Sequence, residues 1–166
     1  MTRTSQGIVD PLDLGPVLEA QDRSGVKLTF TVPTDVTGQD DGRAALMLKN
    51  QLRDARARLV ASGMRDPEAE ALLAPVTELV EDAAYWRLQS RGLVVFLDEG
   101  FFLPVRVPIE LPERLTVGLR FQLLPLAPVL ASDRRLYVLA LSKNSVRLFD
   151  STRNVIEELP LGEIPA

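Results

Sequence analysis

The spacing of apolar residues changes near Gly92, and that change constrains the fold more than any other feature of the sequence. Upstream, Leu48, Leu52, Ala55 and Leu59 recur at intervals of four and three, the period that puts side chains on one face of an α-helix. Ala69, Leu72, Leu73, Val76, Leu79, Val80 and Ala83 repeat that period. Downstream, LVVFL (Leu93–Leu97) and FFLPVRV (Phe101–Val107) flank Asp98-Glu99-Gly100; such runs on either side of a glycine-bearing turn predict a β-hairpin. The first stripe predicts a long helix from Gly42 to Ser62, stopped by Gly63. The second predicts a helix opening at Asp66-Pro67-Glu68, with Asp66 as N-cap and Pro67 at the first helical position. Pro75 lies outside the buried stripe, so a kink and not a break is expected there. The short connection makes the two helices an antiparallel hairpin reaching to Trp86.

Alternation also marks VKLTFTV (Val26–Val32) as a half-buried strand ended by Pro33. Asp10-Pro11 predicts the N-cap of a short helix ending near Ala20, with Leu14, Val17 and Leu18 as its buried stripe. Pro104 puts its strand on a sheet edge or at a bulge, and Leu115–Val117 is a further short strand. A short helix over Leu123–Leu130 follows, then strands at Leu136–Leu141, Ser145–Asp150 and Asn154–Leu159. The fold class is α+β: a mainly antiparallel sheet packed by a long antiparallel helical hairpin, then a short helix and a three-strand meander.

The apolar mass divides near Val117–Arg120, which suggests a domain over 1–118 and a second over 119–166. Leu136, Val138, Leu139 and Leu141 put apolar groups on both faces of the first meander strand, so that sheet needs cover on both sides. One short helix cannot supply it. The meander is therefore expected to open a larger domain that is truncated here, or to dock on another surface. A homodimer through Leu136–Leu159 is the favoured form of docking, because self-pairing removes two free edges at once.

Missing residue types exclude several chemistries. The 166 residues include no Cys and no His, which removes disulfides, thiol nucleophiles, thiolate and imidazole metal sites, and the commonest general base. Neither of the common glycine-rich phosphate loops occurs. The adjacent acids Asp40-Asp41, Asp98-Glu99 and Glu157-Glu158 remain, but neighbours on a strand face opposite ways and acids in loops are commonly solvated. No catalytic residue, metal or cofactor is assigned, and the chain is expected not to be an enzyme. With 46% hydrophobic and 25% charged residues the composition is globular and not disordered. No apolar run approaches the roughly 18 residues of a membrane span, and MTRTSQGIVD has no signal-peptide core. No membrane association and a cytoplasmic location are expected.

Charge is unevenly spread. From Arg43 to Arg65 six bases stand against one acid, Asp54, although the whole chain carries −4. Lys49, Arg53 and Arg56 are spaced four and three, so they share a stripe beside the buried one; Arg58 and Arg65 extend the basic stretch. The second helix has the opposite sign, with Asp66, Glu68, Glu70, Glu78, Glu81 and Asp82. On one reading the two helices trade surface ion pairs, each worth little. On the other, Lys49, Arg53, Arg56, Arg58 and Arg65 form a ridge that binds the phosphate backbone of RNA. No aromatic residue interleaves with them, so base stacking is not suggested.

Two stretches carry a resemblance to a known family. FTVPTDVTGQDDGRAALMLKNQLRDARARLVASGM, above all Val32-Pro33-Thr34 and Leu48-Lys49-Asn50-Gln51-Leu52, resembles the first strand, loop and long helix of the bacterial relatives of the archaeo-eukaryotic class 1 peptide-chain release factor. RFQLLPLAPVLASDRRLYVLALSKNSVRLFDSTRNVIEELPL resembles the helix and meander that open the second, RNase H-like domain of the same proteins. The resemblance spans Val26 to Leu161. It implies a ribosome-associated role in termination, rescue or stress response, with the ribosome or tRNA as partner. In the classical factor a hairpin tip carrying Asn-Ile-Lys-Ser reads the stop codon, and a Gly-Gly-Gln tripeptide in the second domain promotes peptidyl-tRNA hydrolysis. Here the tip is Ala61-Ser62-Gly63-Met64-Arg65, and Gly-Gly-Gln does not occur, so neither role is carried over. The competing expectation is a protein-interaction module with no RNA role.

Overall fold

A computed structural model describes Asp10 and residues 12–36, 42–130, 136–142, 145–151 and 156–160. The chain divides into two compact units, Met1–Leu123 and Leu124–Ala166.

Two helices dominate the first unit. α2 (Arg43–Ala61) buries Leu48, Leu52, Ala55 and Leu59, the stripe that the sequence spacing predicts, together with Ala44 and Gln51. It ends at Gly63, whose φ of 101° is cheap only for a residue without Cβ. α3 (Asp66–Glu81) starts one residue earlier than an Asp66 cap would require: Arg65 is the N-cap, and the Glu68 carboxylate accepts the Arg65 backbone N–H at 3.3 Å. Pro75 lies inside α3 without interrupting it. The helix stops at Asp82, where Oδ1 accepts the N–H groups of Ala84 and Tyr85 and caps a separate turn, α4 (Ala83–Trp86). The hairpin is therefore shorter than its apolar stripe suggests, and Ala83 is exposed.

α1 (Gly15–Gln21) also departs from expectation. Asp10 does not cap it, and Asp13 instead accepts the Gly15 N–H at 2.9 Å. Val17 and Ala20 are buried while Leu18 is 52% exposed, so the buried stripe is Val17–Ala20. Asp10 bonds to the sheet: its N–H donates to Arg106 O at 3.1 Å, and its carboxylate accepts the Arg106 N–H at 2.8 Å.

The sheet comprises β1 (Lys27–Pro33), β2 (Gly92–Asp98), β3 (Phe101–Val107) and β4 (Arg114–Gly118), in the order β3-β2-β1-β4 with every neighbour antiparallel. Pro104 sits on edge strand β3, where its missing N–H costs no ladder bond. One face presents Leu28, Phe30, Val32, Leu93, Val95 and Leu97 to the α2–α3 hairpin. Of the predicted α3 stripe, Ala69, Leu73, Val76 and Leu79 complete that contact, and Leu72 and Val80 are partly buried against it. Gln51, on the buried side of α2, donates from Nε2 to Thr31 O at 3.0 Å and ties helix to strand.

The second face overturns the half-buried reading of β1. Lys27, Thr29 and Thr31 are 1%, 2% and 2% exposed. α1 and the connection 109–123 cover them, with Phe121 packed edge-on to Phe96 at 5.4 Å and its N–H held by Gln21 Oε1 at 2.6 Å. Each covered polar side chain has a partner. Thr29 Oγ1 accepts the Gln122 N–H at 3.0 Å, Thr31 Oγ1 donates to Pro112 O at 2.6 Å, and Lys27 Nζ donates to Asp98 Oδ2 at 2.8 Å.

In the second unit a 3-10 turn (Leu124–Leu126) runs into the helical turn α5 (Ala127–Leu130). β5 (Leu136–Ser142), β6 (Ser145–Ser151) and β7 (Ile156–Leu159) form an antiparallel meander in the order β5-β6-β7. Asn154 and Val155, expected at the start of the last strand, lie outside the described residues. Among the described residues no helix is long and apolar enough to cross a membrane.

Removing one partner of a buried ion pair leaves a bare charge and costs about 3–5 kcal/mol, whereas apolar replacement of both is often neutral. Lys27→Met alone should therefore lower the urea midpoint sharply, and Lys27→Met with Asp98→Leu should recover most of the loss. Equal midpoints for the single and double variants would count against the pair as the cause.

Candidate nucleic-acid interface

The phase of α2 decides what its bases can reach. With Leu48, Leu52, Ala55 and Leu59 turned inward, Lys49, Arg53, Arg56 and Arg58 are all exposed, and Arg65 is exposed at the hairpin tip. All five predicted contact residues therefore reach solvent, but they are not equivalent.

Three of them are engaged. Arg56 forks onto Asp66, Nε to Oδ1 at 2.7 Å and Nη2 to Oδ2 at 2.6 Å, and also reaches Glu70 at 3.2 Å. This is the planar two-bond geometry that guanidinium makes with a carboxylate, and it joins α2 to the first turn of α3. Arg58 bonds Asp54 one turn back at 2.6 Å. Arg65 pairs with Glu68, its Nε donating at 2.9 Å. The Arg56 hydrogen bond holds the Asp66 carboxyl below its ordinary value, and Arg65 does the same to Glu68. The ion-pair reading thus describes Arg56, Arg58 and Arg65. Lys49 and Arg53 make no ion pair among the described residues.

Acids border what remains. A shallow recess between α2 and α3 is lined by Arg53 and Arg56 together with Glu70 and Glu78. A phosphate entering it would meet both signs of charge, and the bases of α2 that hold no carboxylate among the described residues are Lys49 and, at the recess, Arg53.

Of the adjacent acids, Asp40-Asp41 lies outside the described residues. Glu157 and Glu158 alternate across β7, and Glu158 pairs with Arg147. Asp98 is not the solvated turn acid that its neighbour Glu99 is: its side chain is 2% exposed and bound to Lys27. Its other oxygen has no hydrogen bond among the described residues, and the Arg23 guanidinium lies 4.0 Å from it. The sequence gives one hint of this pair, a lysine at a covered position of an otherwise threonine-bearing strand face. Among the described residues no three acidic side chains gather in a way that could hold a metal ion.

A second concave surface lies at the turn end of the sheet. A groove of ≈ 750 Å³ runs between α3 and the β2–β3 turn, lined by Val26, Met64, Leu72, Pro75, Leu97 and Phe102, with Glu68 and Glu99 also on its wall. Sequence reading does not find it, because its lining comes from three separate segments.

No protein-family model matches the chain, and a search of curated proteins finds no match either.

A carboxyl whose folded pKa lies below its unfolded value stabilises the fold fully above the unfolded pKa, and that stability is lost as pH falls through the folded one. In an NMR titration Asp66 should ionise below its ordinary 3.8 and return to it in Arg56→Gln, with the acid-unfolding midpoint moving to higher pH. An Asp66 titration indifferent to Arg56→Gln would contradict the bidentate pair.

Proposed function

We propose that this chain is a release-factor-like, ribosome-associated protein of the cytoplasm, acting in termination, rescue or stress response as an RNA-binding module and not as an enzyme. Its contact with the ribosome or tRNA runs along the exposed side of α2, at Lys49 and Arg53. The observation that carries this reading is the pair Lys49 and Arg53, one helical turn apart, exposed, and free of ion pairs among the described residues. Arg56, Arg58 and Arg65 are secondary, because each must leave a carboxylate before it can meet a phosphate. The first strand followed by a long helix, and the later short helix followed by a meander, support the same reading, since those are the elements that the resemblance implies. The tip Ala61–Arg65 lacks the stop-codon motif, so contact is with backbone and not with a codon.

A second reading rests on the groove beside α3. Its apolar lining and acidic wall suit a protein segment that brings an apolar anchor and a base, and such an interaction module would need no RNA.

Salt separates the two, since phosphate-driven affinity falls steeply with ionic strength while apolar contact barely responds. RNA gel shift and ribosome co-sedimentation across a salt series should show a slope that Lys49→Gln/Arg53→Gln flattens by about 1.4–1.8 units. Arg58→Gln should leave the slope nearly unchanged. Binding that the double variant does not weaken would refute the α2 contact. Salt-insensitive binding lost in Met64→Glu would favour the groove.

A further inference from the structure

The two edges of the meander are built differently. β7 is four residues long, Ile-Glu-Glu-Leu, and a short edge carrying charge is how sheets discourage further pairing. β5 is seven residues, Leu-Tyr-Val-Leu-Ala-Leu-Ser, with no charge, proline or glycine. Its outer row of N–H and C=O groups has no strand partner among the described residues. That is the composition of an interior strand placed at an edge.

The faces differ too. Register puts Val138 and Ala140 with Phe149 and Arg147 on one face, where Arg147 donates to Glu158 at 2.9 Å and stacks 5.0 Å from the Phe149 ring. The other face holds Leu139, Leu141, Val146 and Leu148, and Leu139, Leu141 and Val146 are 53%, 70% and 41% exposed. Apolar side chains on both faces thus flank an open, uncharged backbone edge.

We propose that β5 pairs with β5 of a second copy of this chain, antiparallel about a twofold axis through Leu139, joining two meanders into one six-stranded sheet. Leu139 is the middle of the seven residues, so this register pairs the whole strand. It sets Leu139 against its own counterpart and Val138 against the other copy's Ala140, with each pair on a single face of the joined sheet. The segment has no charge, so self-pairing opposes no like charges, which is the usual penalty of an isologous contact. A partner of different sequence would find no charged feature here to recognise, which favours the self-complementary occupant. The same contact satisfies the outer backbone groups, which face-to-face stacking of the two sheets would leave in water.

The chain lacks cysteine, so introduced thiols report the register. Opposed residues in an antiparallel pair lie about 4.5–5.5 Å apart, within the disulfide range of about 4.4–6.8 Å. Leu141 and its counterpart would lie about 13 Å apart. Sedimentation of the intact chain should show a dimer, and mild oxidation should crosslink Leu139→Cys but not Leu141→Cys. Leu139→Lys and Leu139→Glu should each raise the dimer dissociation constant on the order of tenfold, and mixing the two should restore association. A monomer at high micromolar concentration overturns the proposal. So does equal crosslinking at both positions, or a dimer indifferent to Leu139→Lys while circular dichroism shows the fold intact.

Discussion

Burial of β1 and β2 on both faces is the constraint from which the first unit follows. An alternating strand can leave its polar side in water, but Lys27, Thr29 and Thr31 are as inaccessible as Leu28, Phe30 and Val32. Once covered, each polar group must find a partner inside, because an unsatisfied buried donor or acceptor costs about 1–3 kcal/mol. The partners come from far along the chain: Pro112 for Thr31, Gln122 for Thr29 and Asp98 for Lys27. Those bonds fix the path of the connection 109–123 and seat Phe121 over Phe96. Gly92 belongs to the same arrangement, since a Cβ there would lie 2.5 Å from Ile109 O. The covering layer works as a polar lock closed by aromatic packing.

Local signals and non-local ones were not equally legible in the sequence. Leu48, Leu52, Ala55 and Leu59 announce α2, and Gly63 and Gly100 mark its end and the hairpin turn, because period and positive φ are properties of adjacent residues. The covered side of β1 was not legible, since VKLTFTV reads the same whether water or Phe121 faces its threonines. Asp10 misled for a related reason. Asp followed by Pro is a good helix start, but Asp10 lies across from β3 and bonds Arg106, ninety-six residues away. Asp82 shows the opposite case: it looks like one more acid in an acidic helix, and it ends α3 and caps α4 instead.

The candidate site was legible in sign and not in detail. Composition shows that α2 is basic and α3 acidic, but only the hairpin's packing shows which charges meet. Arg56 faces α3 and is held by Asp66 and Glu70, while Arg53, one turn earlier, lines the recess without a paired acid among the described residues. Pairing across the hairpin and presentation to a phosphate therefore compete for the same guanidinium groups. The competition is uneven along α2, weakest at Lys49 and Arg53 and strongest at Arg56, where two hydrogen bonds to one carboxylate would have to be given up together.

The first unit also shows what a managed sheet edge looks like in this chain. On β3 the outward backbone of Arg106 is occupied, its N–H by the Asp10 carboxylate and its C=O by the Asp10 N–H. Two residues earlier, Pro104 has the same orientation along the strand and no N–H to offer. One device fills the edge and the other blanks it, so β3 cannot serve as a template for another strand. β7 is blunted by Glu157 and Glu158. Among the described residues β5 carries none of these devices over its seven residues, in a chain that uses them elsewhere. Edge protection is a matter of single residues, so its absence along β5 is compatible with a strand whose place is inside a sheet and not at its border.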